Sequence, residues 1–320
     1  MVRQVHIPVM TGQILATLAP RPGAIYVDGT FGAGGMTTAL LDAAPCTVWA
    51  IDRDPDAIIR ARALAENHQG RLMALHGCFG VMDELLRGQG VDAVDGIALD
   101  VGVSSMQLDE PSRGFSFLKD GPLDMRMGRT GPSASDFVNS AEEQELAEII
   151  FRYGEERRAK RVARAIVAAR IRRPIARTGE LADIVRDALP RGRGVDPATR
   201  TFQALRIHIN DELGELDRGL VAAEALLKPE GHLAVICFHS LEDRKVKSFL
   251  RARSSAGAGR SRFLPTTDER RRPPSFRLLH RKVMRPTDEE IKRNRRARSA
   301  RLRSAIRTAA PPWGITESVA

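Results

Sequence analysis

Apolar and polar positions alternate along this chain in two registers. Short continuous apolar runs at Ala24–Val27, Val48–Ile51, Leu72–Leu75 and Gly96–Leu99 read as buried strands. Between them, Met36–Ala43, Pro55–Glu66 and Val81–Arg87 carry apolar residues at helical spacing. This alternation predicts βαβ units, and with them a parallel sheet covered by helices on both faces. A fifth run, Leu233–Phe238, arrives more than a hundred residues after the fourth. That is too long for a loop in a compact domain, so a folded insertion is expected. Its own pattern is helical over Glu142–Phe151, Glu155–Arg170, Thr178–Leu189 and Thr199 to Leu227, with breaks at Pro174, Pro190 and Pro197.

Past the fifth run the pattern changes. Ser254–Arg262 reads as a mobile loop, and Phe276–Val283 as a late strand in a hairpin at the sheet edge. Thr287–Glu290 has capping-box spacing and precedes the basic run Lys292–Arg307; the last dozen residues are expected to be disordered. The organisation predicted is an α/β domain in two parts, 1–108 and 211–285, a helical insert over 109–210, and a basic C-terminal helix and tail over 286–320.

Composition narrows the class. With 42% hydrophobic and 28% charged residues among 320, general disorder is excluded. No apolar run is long enough to span a bilayer, and the N-terminus lacks the pattern of a secretory signal. Cys46, Cys78 and Cys237 stand far apart, which excludes a Cys-rich metal site or a disulfide framework and fits the reducing cytoplasm.

The net charge of +10 matters through its distribution. Residues 1–150 carry −9, residues 151–210 carry +9, residues 211–240 carry −4 and residues 241–320 carry +14. Two basic blocks attached to an acidic core point to a polyanion such as nucleic acid. In the first block, Arg157, Arg158, Arg161, Arg164 and Arg170 surround a narrow apolar stripe of Val162, Ile166 and Val167. Such a helix packs one face and offers the other to phosphate; a salt-bridged surface helix is the bland alternative. Arg157, Arg158, Arg161 and Arg164 are therefore expected to bind RNA, joined by Arg293, Arg295 and Arg296 of the second block.

The strongest chemical motif is Val27-Asp28-Gly29-Thr30-Phe31-Gly32-Ala33-Gly34-Gly35, between the first strand and a helix. Glycines there let backbone N–H groups approach a ligand at the helix N-terminus. Asp52, ending the second strand, can accept from both hydroxyls of a ribose. Gly32-x-Gly34-Gly35 breaks the dinucleotide register. An acid before the glycines suits an ammonium and a sulfonium better than a pyrophosphate, so S-adenosylmethionine (SAM) is favoured. Phe79 follows the third strand, where an adenine could stack. Asp100 ends the fourth, at the cleft mouth.

Leu99–Leu108, Arg113–Phe117, Gly121–Met127, Tyr153–Arg157, Thr201–Ile207, Asn210–Leu213 and Phe238–Arg244 then recur, in this order, in one family. From His6 to Arg303, nearly the whole chain resembles the RsmH (MraW) family of small-subunit ribosomal RNA cytosine-N4 methyltransferases. The resemblance implies a Rossmann-like class I SAM-dependent methyltransferase sheet with an inserted α-helical domain that recognises RNA. It implies that SAM is held by Gly34, Gly35, Met36, Asp52, Phe79, Asp100 and Gln107, and that the target is a cytidine in the decoding region of 16S rRNA. Many members have His where this chain has Met36, so any imidazole role there is lost.

The amine of cytosine is a poor nucleophile, and an acceptor aimed at its hydrogens helps it attack and later lose a proton. The Asp/Asn/Ser-Pro-Pro-aromatic tetrapeptide that often supplies this acceptor is replaced by Asp100-Val101-Gly102-Val103. Asp124, Asp100 and His239, the last beside Ser240, are the catalytic candidates. Asp124 could instead pair with Arg126, Asp100 could serve the cofactor only, and a lone His is often structural. Naked rRNA and an assembling or assembled small subunit both fit as partner, and a homodimer leaves no mark in the sequence. Two alternatives remain open: an RNA- and SAM-binding ribosome-assembly factor with little turnover, and a nicotinamide-dependent oxidoreductase.

Overall fold

The computed structural model describes residues 8–190, 194, 196–254 and 272–314. His6 and Ile7, the loop expected over 255–262 and the chain end at 315–320 lie outside the described residues. The strands are β1 (Ile25–Asp28), β2 (Thr47–Asp52), β3 (Leu72–His76), β4 (Val94–Asp100), β5 (Leu227–Cys237), β6 (Phe276–Leu278) and β7 (Arg301–Arg307). The helices α1 (Thr11–Leu18), α2 (Gly35–Ala43), α3 (Pro55–Ala65) and α4 (Met82–Arg87) punctuate the first four strands. Next come α5 (Ser105–Asp109), α6 (Ala134–Ser140), α7 (Glu143–Gly154), α8 (Ala159–Arg170), α9 (Thr178–Ala188) and α10 (Ala198–Ile209). The chain continues through α11 (Glu212–Leu226), α12 (Ser240–Ser254) and α13 (Asp288–Arg293).

Two compact units result: 8–102 with 214–314, and 103–213. In the first, the described strands form one sheet in the order β3-β2-β1-β4-β5-β7-β6. β1 to β5 run parallel, and β7 pairs antiparallel with both β5 and β6. This is a Rossmann-like sheet with one antiparallel strand, β7, set next to its edge. The order reverses direction between β1 and β4, and parallel sheets bind ligands outside the strand ends at such a switch point. The strands are buried on both faces, by one apolar cluster including Ile14, Leu40 and Ala57 and another including Met82, Leu86, Leu220 and Val246.

The C-terminal segment departs from the expected helix and tail. The basic run is not a helix with a tail: α13 ends at Arg293, and β7 enters the sheet between β5 and β6. Exposure alternates over Arg301–Ser304, with Leu302 and Ser304 buried, and Ala305–Arg307 are then buried on both faces, as in a strand that runs into a covered sheet. The late strand is shorter than expected, Phe276–Leu278, though it does form the sheet edge.

The second unit packs α6 to α10 around Leu123, Met125, Leu146, Ile150, Val162, Ile166, Leu181 and Leu205. The helix expected from Glu155 begins at Ala159, because Glu155 adopts the left-handed conformation (φ 51°). The long segment from Thr199 divides into α10 and α11 at Asn210 and Asp211, the latter with φ 46°.

Candidate cofactor and catalytic site

β1 delivers Asp28, only 1% exposed, to the glycine turn. Its carboxylate accepts from Thr37 Oγ1 at 2.7 Å and from the Thr30 N–H at 3.2 Å, tying the turn to α2. Burial pushes this carboxyl up to about 6, with Asp52 adding to the rise. Gly34 caps α2 at φ 83°, a conformation that favours glycine, and a Cβ there would stand 2.7 Å from Phe31 Cζ. Met36 points into the apolar cluster with Leu40 and Leu41 and is 8% exposed. Its side chain is thus core, and what the position offers a ligand is backbone.

Asp52, at the end of β2, accepts from Gly32 N and Asp54 N, each at 2.8 Å. A carboxylate has about four lone-pair sites, so acceptor capacity is left for a diol. Burial raises its pKa. At the end of β4 the Asp100 N–H donates to Thr30 Oγ1 at 2.7 Å. Its Oδ1 is fully buried with no hydrogen-bond partner among the described residues, although the residue is partly open. Burial first, then the charges of Asp28 and Glu242, push the Asp100 carboxyl up to about 8. Three carboxylates therefore crowd the ends of three neighbouring strands, and one of them keeps a bare oxygen. Phe79 follows β3 in a one-turn helix, Phe79–Val81, and its ring is partly buried.

His239 lies in the turn between β5 and α12. Glu242, 2% exposed, accepts from Phe238 N at 2.7 Å and His239 N at 3.3 Å. His239 Nε2 lies 2.9 Å from Glu242 Oε1 without hydrogen-bond alignment. Asp243 takes Arg303 at 2.6 Å and Arg301 at 3.2 Å, the two β7 arginines that face it. Most of the motif Phe238–Arg244 thus closes the strand–helix turn and fastens β7.

In the helical unit, Gln107 spends its amide oxygen on the Ser104 N–H in a capping box. Asp124 accepts from Arg126 with both oxygens at 2.8 Å, which holds its carboxyl below the usual range despite partial burial. Arg113 donates to the Arg126 and Met127 carbonyls, and Asn210 holds both Met125 O and Met127 N. The motifs around Arg113, Asp124 and Asn210 form one knot. Arg157, Arg158 and Arg161 are exposed and carry no ion pair among the described residues, while Arg164 lies 3.7 Å from Glu143. Arg293, Arg295 and Arg296 are exposed in the other unit.

Thr30, Asn210 and Glu242 stand inside motifs that the sequence displays but to which it assigns no role, and Thr37 lies outside them; these residues orient the carboxylates, the turns and the knot. A hydroxyl two and nine residues after Asp28 was the available signal for Thr30 and Thr37.

The MraW methylase family model matches residues 3–308. The chain is 61% identical to the ribosomal RNA small subunit methyltransferase H of Paramagnetospirillum magneticum, over 97% of this chain and 98% of that one. It is also 61% identical to the protein of that name from Rhodospirillum centenum, over 96% and 93%. Among solved structures, an rRNA methylase from Streptococcus thermophilus aligns over 95% of this chain and 99% of its own, at 11% identity and TM-score 0.38. The matched length and the identity together establish that the chain belongs to the MraW methylase family.

Proposed function

We propose that this chain transfers a methyl group from SAM to the exocyclic N4 amine of a cytidine in the decoding region of small-subunit (16S) ribosomal RNA. The observation that carries this reading is the glycine turn with Asp28, Asp52 and Asp100 at adjoining strand ends, in a chain of a methylase family. SAM supplies an electrophilic methyl group on a cation. Buried carboxylates favour its ammonium and sulfonium, and they would repel the pyrophosphate of a nicotinamide dinucleotide. Asp52 accepts from the ribose hydroxyls and Phe79 lies against the adenine. The backbone of Gly34, Gly35 and Met36 receives the amino-acid end. The family resemblance adds Gln107 as a further cofactor residue.

Of the three catalytic candidates, Asp100 is the one with an unengaged oxygen; Arg126 occupies Asp124, and Glu242 faces His239. Asp100 accepts from the cytosine amine and takes the proton released after transfer, with a pKa near the working pH that suits that task. The target base must leave its stack to be reached. Arg157, Arg158, Arg161 and Arg164, with Arg293, Arg295 and Arg296, hold the phosphates. The substrate is rRNA in an assembling or assembled subunit, in the cytoplasm.

Methyl transfer from labelled SAM to small subunits and to naked 16S rRNA, with the modified base mapped, tests this reading. The expected product is N4-methylcytidine at one position. SAM binding without transfer would instead favour an assembly factor. Asp100→Asn keeps an acceptor but cannot take the proton, so turnover should fall about 10²-fold or more. Its SAM affinity should change much less. Unchanged turnover would remove Asp100 from the chemistry.

A further inference from the structure

Phe79 is held from behind by a helix to which the sequence motifs assign no cofactor role. Gly80, the next residue, donates its N–H to Glu215 Oε1 at 2.7 Å. Glu215 is 5% exposed, and Arg218, three residues on, reaches its other oxygen at 3.1 Å. A carboxylate is retained at such burial only when donors compensate it, and these two do. One helical turn further, a Cβ on Gly219 would stand 2.3 Å from Phe79 Cδ2, so the ring lies directly on the backbone of α11. Glu215 and Gly219 are four apart and share a face of that helix. A Cβ on Gly80 would meet Glu215 Oε2 at 2.8 Å, so the turn and the carboxylate fit one another closely. Glu215 is also the second residue of its unit after the chain returns from the helical insert.

We propose that Glu215 and Gly219 are positioning residues for the cofactor, fixing the Phe79–Gly80 turn so that the Phe79 ring meets the adenine in one orientation. The first turns of the helix returning from the insert thus set cofactor affinity. This inference rests on the reading of Phe79 as the adenine wall.

Calorimetric titration of variants of the 320-residue chain with SAM, alongside KM and kcat, tests this. Phe79→Ala should raise the Kd about ten-fold or more, the scale of losing an aromatic face from a base. Glu215→Ala should raise it about five-fold, and the double variant no further than Phe79→Ala alone, because both act through one ring. Glu215→Gln keeps an acceptor for Gly80 N–H and should return to within about two-fold of the parent. Gly219→Ala should raise Kd too, although alanine favours a helix over glycine; it decides the matter if Glu215→Ala fails to fold. In each variant the KM for SAM rises while kcat holds. Parental affinity in Glu215→Ala and Gly219→Ala, or multiplied effects in the double variant, overturns the inference. Parental affinity in Phe79→Ala overturns the cofactor-site reading on which it stands.

Discussion

Strand β7 of the sheet unit and helix α8 of the helical unit treat charge in opposite ways. In the sheet unit charge is internal: Asp28, Glu224, Glu242, Arg253 and Arg307 are all nearly or wholly buried. Each is matched to named partners, or is left to neutralise by shifting its pKa. In the helical unit Arg157, Arg158, Arg161 and Arg164, in α8 and the turn before it, face solvent, and the first three carry no ion pair among the described residues, while Arg170 is spent on the Val138 and Ala141 carbonyls. Composition alone makes the two basic blocks look alike. The difference lies in periodicity: Arg301 and Arg303 alternate with buried Leu302 on a strand and are consumed by Asp243. Around α8, Arg157, Arg158 and Arg161 flank a single apolar stripe and stay exposed. An arginine count is therefore evidence of a polyanion partner only after the partners inside the fold have been subtracted.

The sharpest way to break this contrast is to remove a buried partner. Glu224 is fully buried, takes Arg253 Nε at 2.9 Å and also accepts from Ser275 Oγ. Glu224→Ala removes the carboxylate that faces an almost buried guanidinium, and about 3–5 kcal/mol of stability should go with it. Denaturant unfolding of the ligand-free chain measures this. A loss below about 1 kcal/mol would mean that water replaces the carboxylate and that the charge is less internal than its burial implies.

A second effect is read against pH. Asp100 in the folded chain titrates at about 8 and Asp28 at about 6, against an ordinary value of 3.8 for both. Both folded values lie above the unfolded one, so their contribution is complete below about pH 4 and disappears as pH rises through the folded values. Between pH 6 and 8, where Asp100 alone of the pair still holds its proton, stability should fall by up to about 1.4 kcal/mol per unit. Asp100→Asn should flatten that slope. SAM, as a cation, favours ionised Asp100, so its affinity for the parent should rise over the same window with release of a proton. Calorimetry in two buffers of different ionisation heat detects that proton; its absence would mean Asp100 is already ionised in the free chain.

Much of this was legible in the sequence, for a physical reason. Buried parallel strands are continuous apolar runs, and the glycine turn has to be local, so β1 to β4 and the acids at their ends could be read directly. Strand β5 was found by its last residues only, because Lys228, Pro229 and Glu230 interrupt the pattern. Strand β7 was hidden by its arginines, which resemble a basic tail until Asp243 is seen opposite. The candidate acids were legible, but their states were not. Asp124 and Asp100 look equivalent in the sequence; Arg126 lies beside one, and Asp28 and Glu242 press on the other. Glu215 and Gly219 were illegible as site residues because their effect passes through Phe79, more than a hundred residues earlier.

The smallest expected effect on stability is also the most informative about the helical unit. Arg157, Arg158 and Arg161 are exposed and carry no ion pair among the described residues, so replacing all three with Gln should change unfolding free energy by no more than about 0.5 kcal/mol per site. Binding to rRNA should respond quite differently. Each lost contact to single-stranded RNA removes about 0.7 from the slope of log K against log salt, so three contacts lower it by about 2. The matching change at β7, Arg301 and Arg303 to Gln, should do the reverse: measurable destabilisation through Asp243, and a salt slope within error of the parent. If the β7 pair carries the salt dependence and the α8 trio does not, display and burial of charge have been assigned to the wrong units. The phosphate path would then have to be redrawn along the sheet edge.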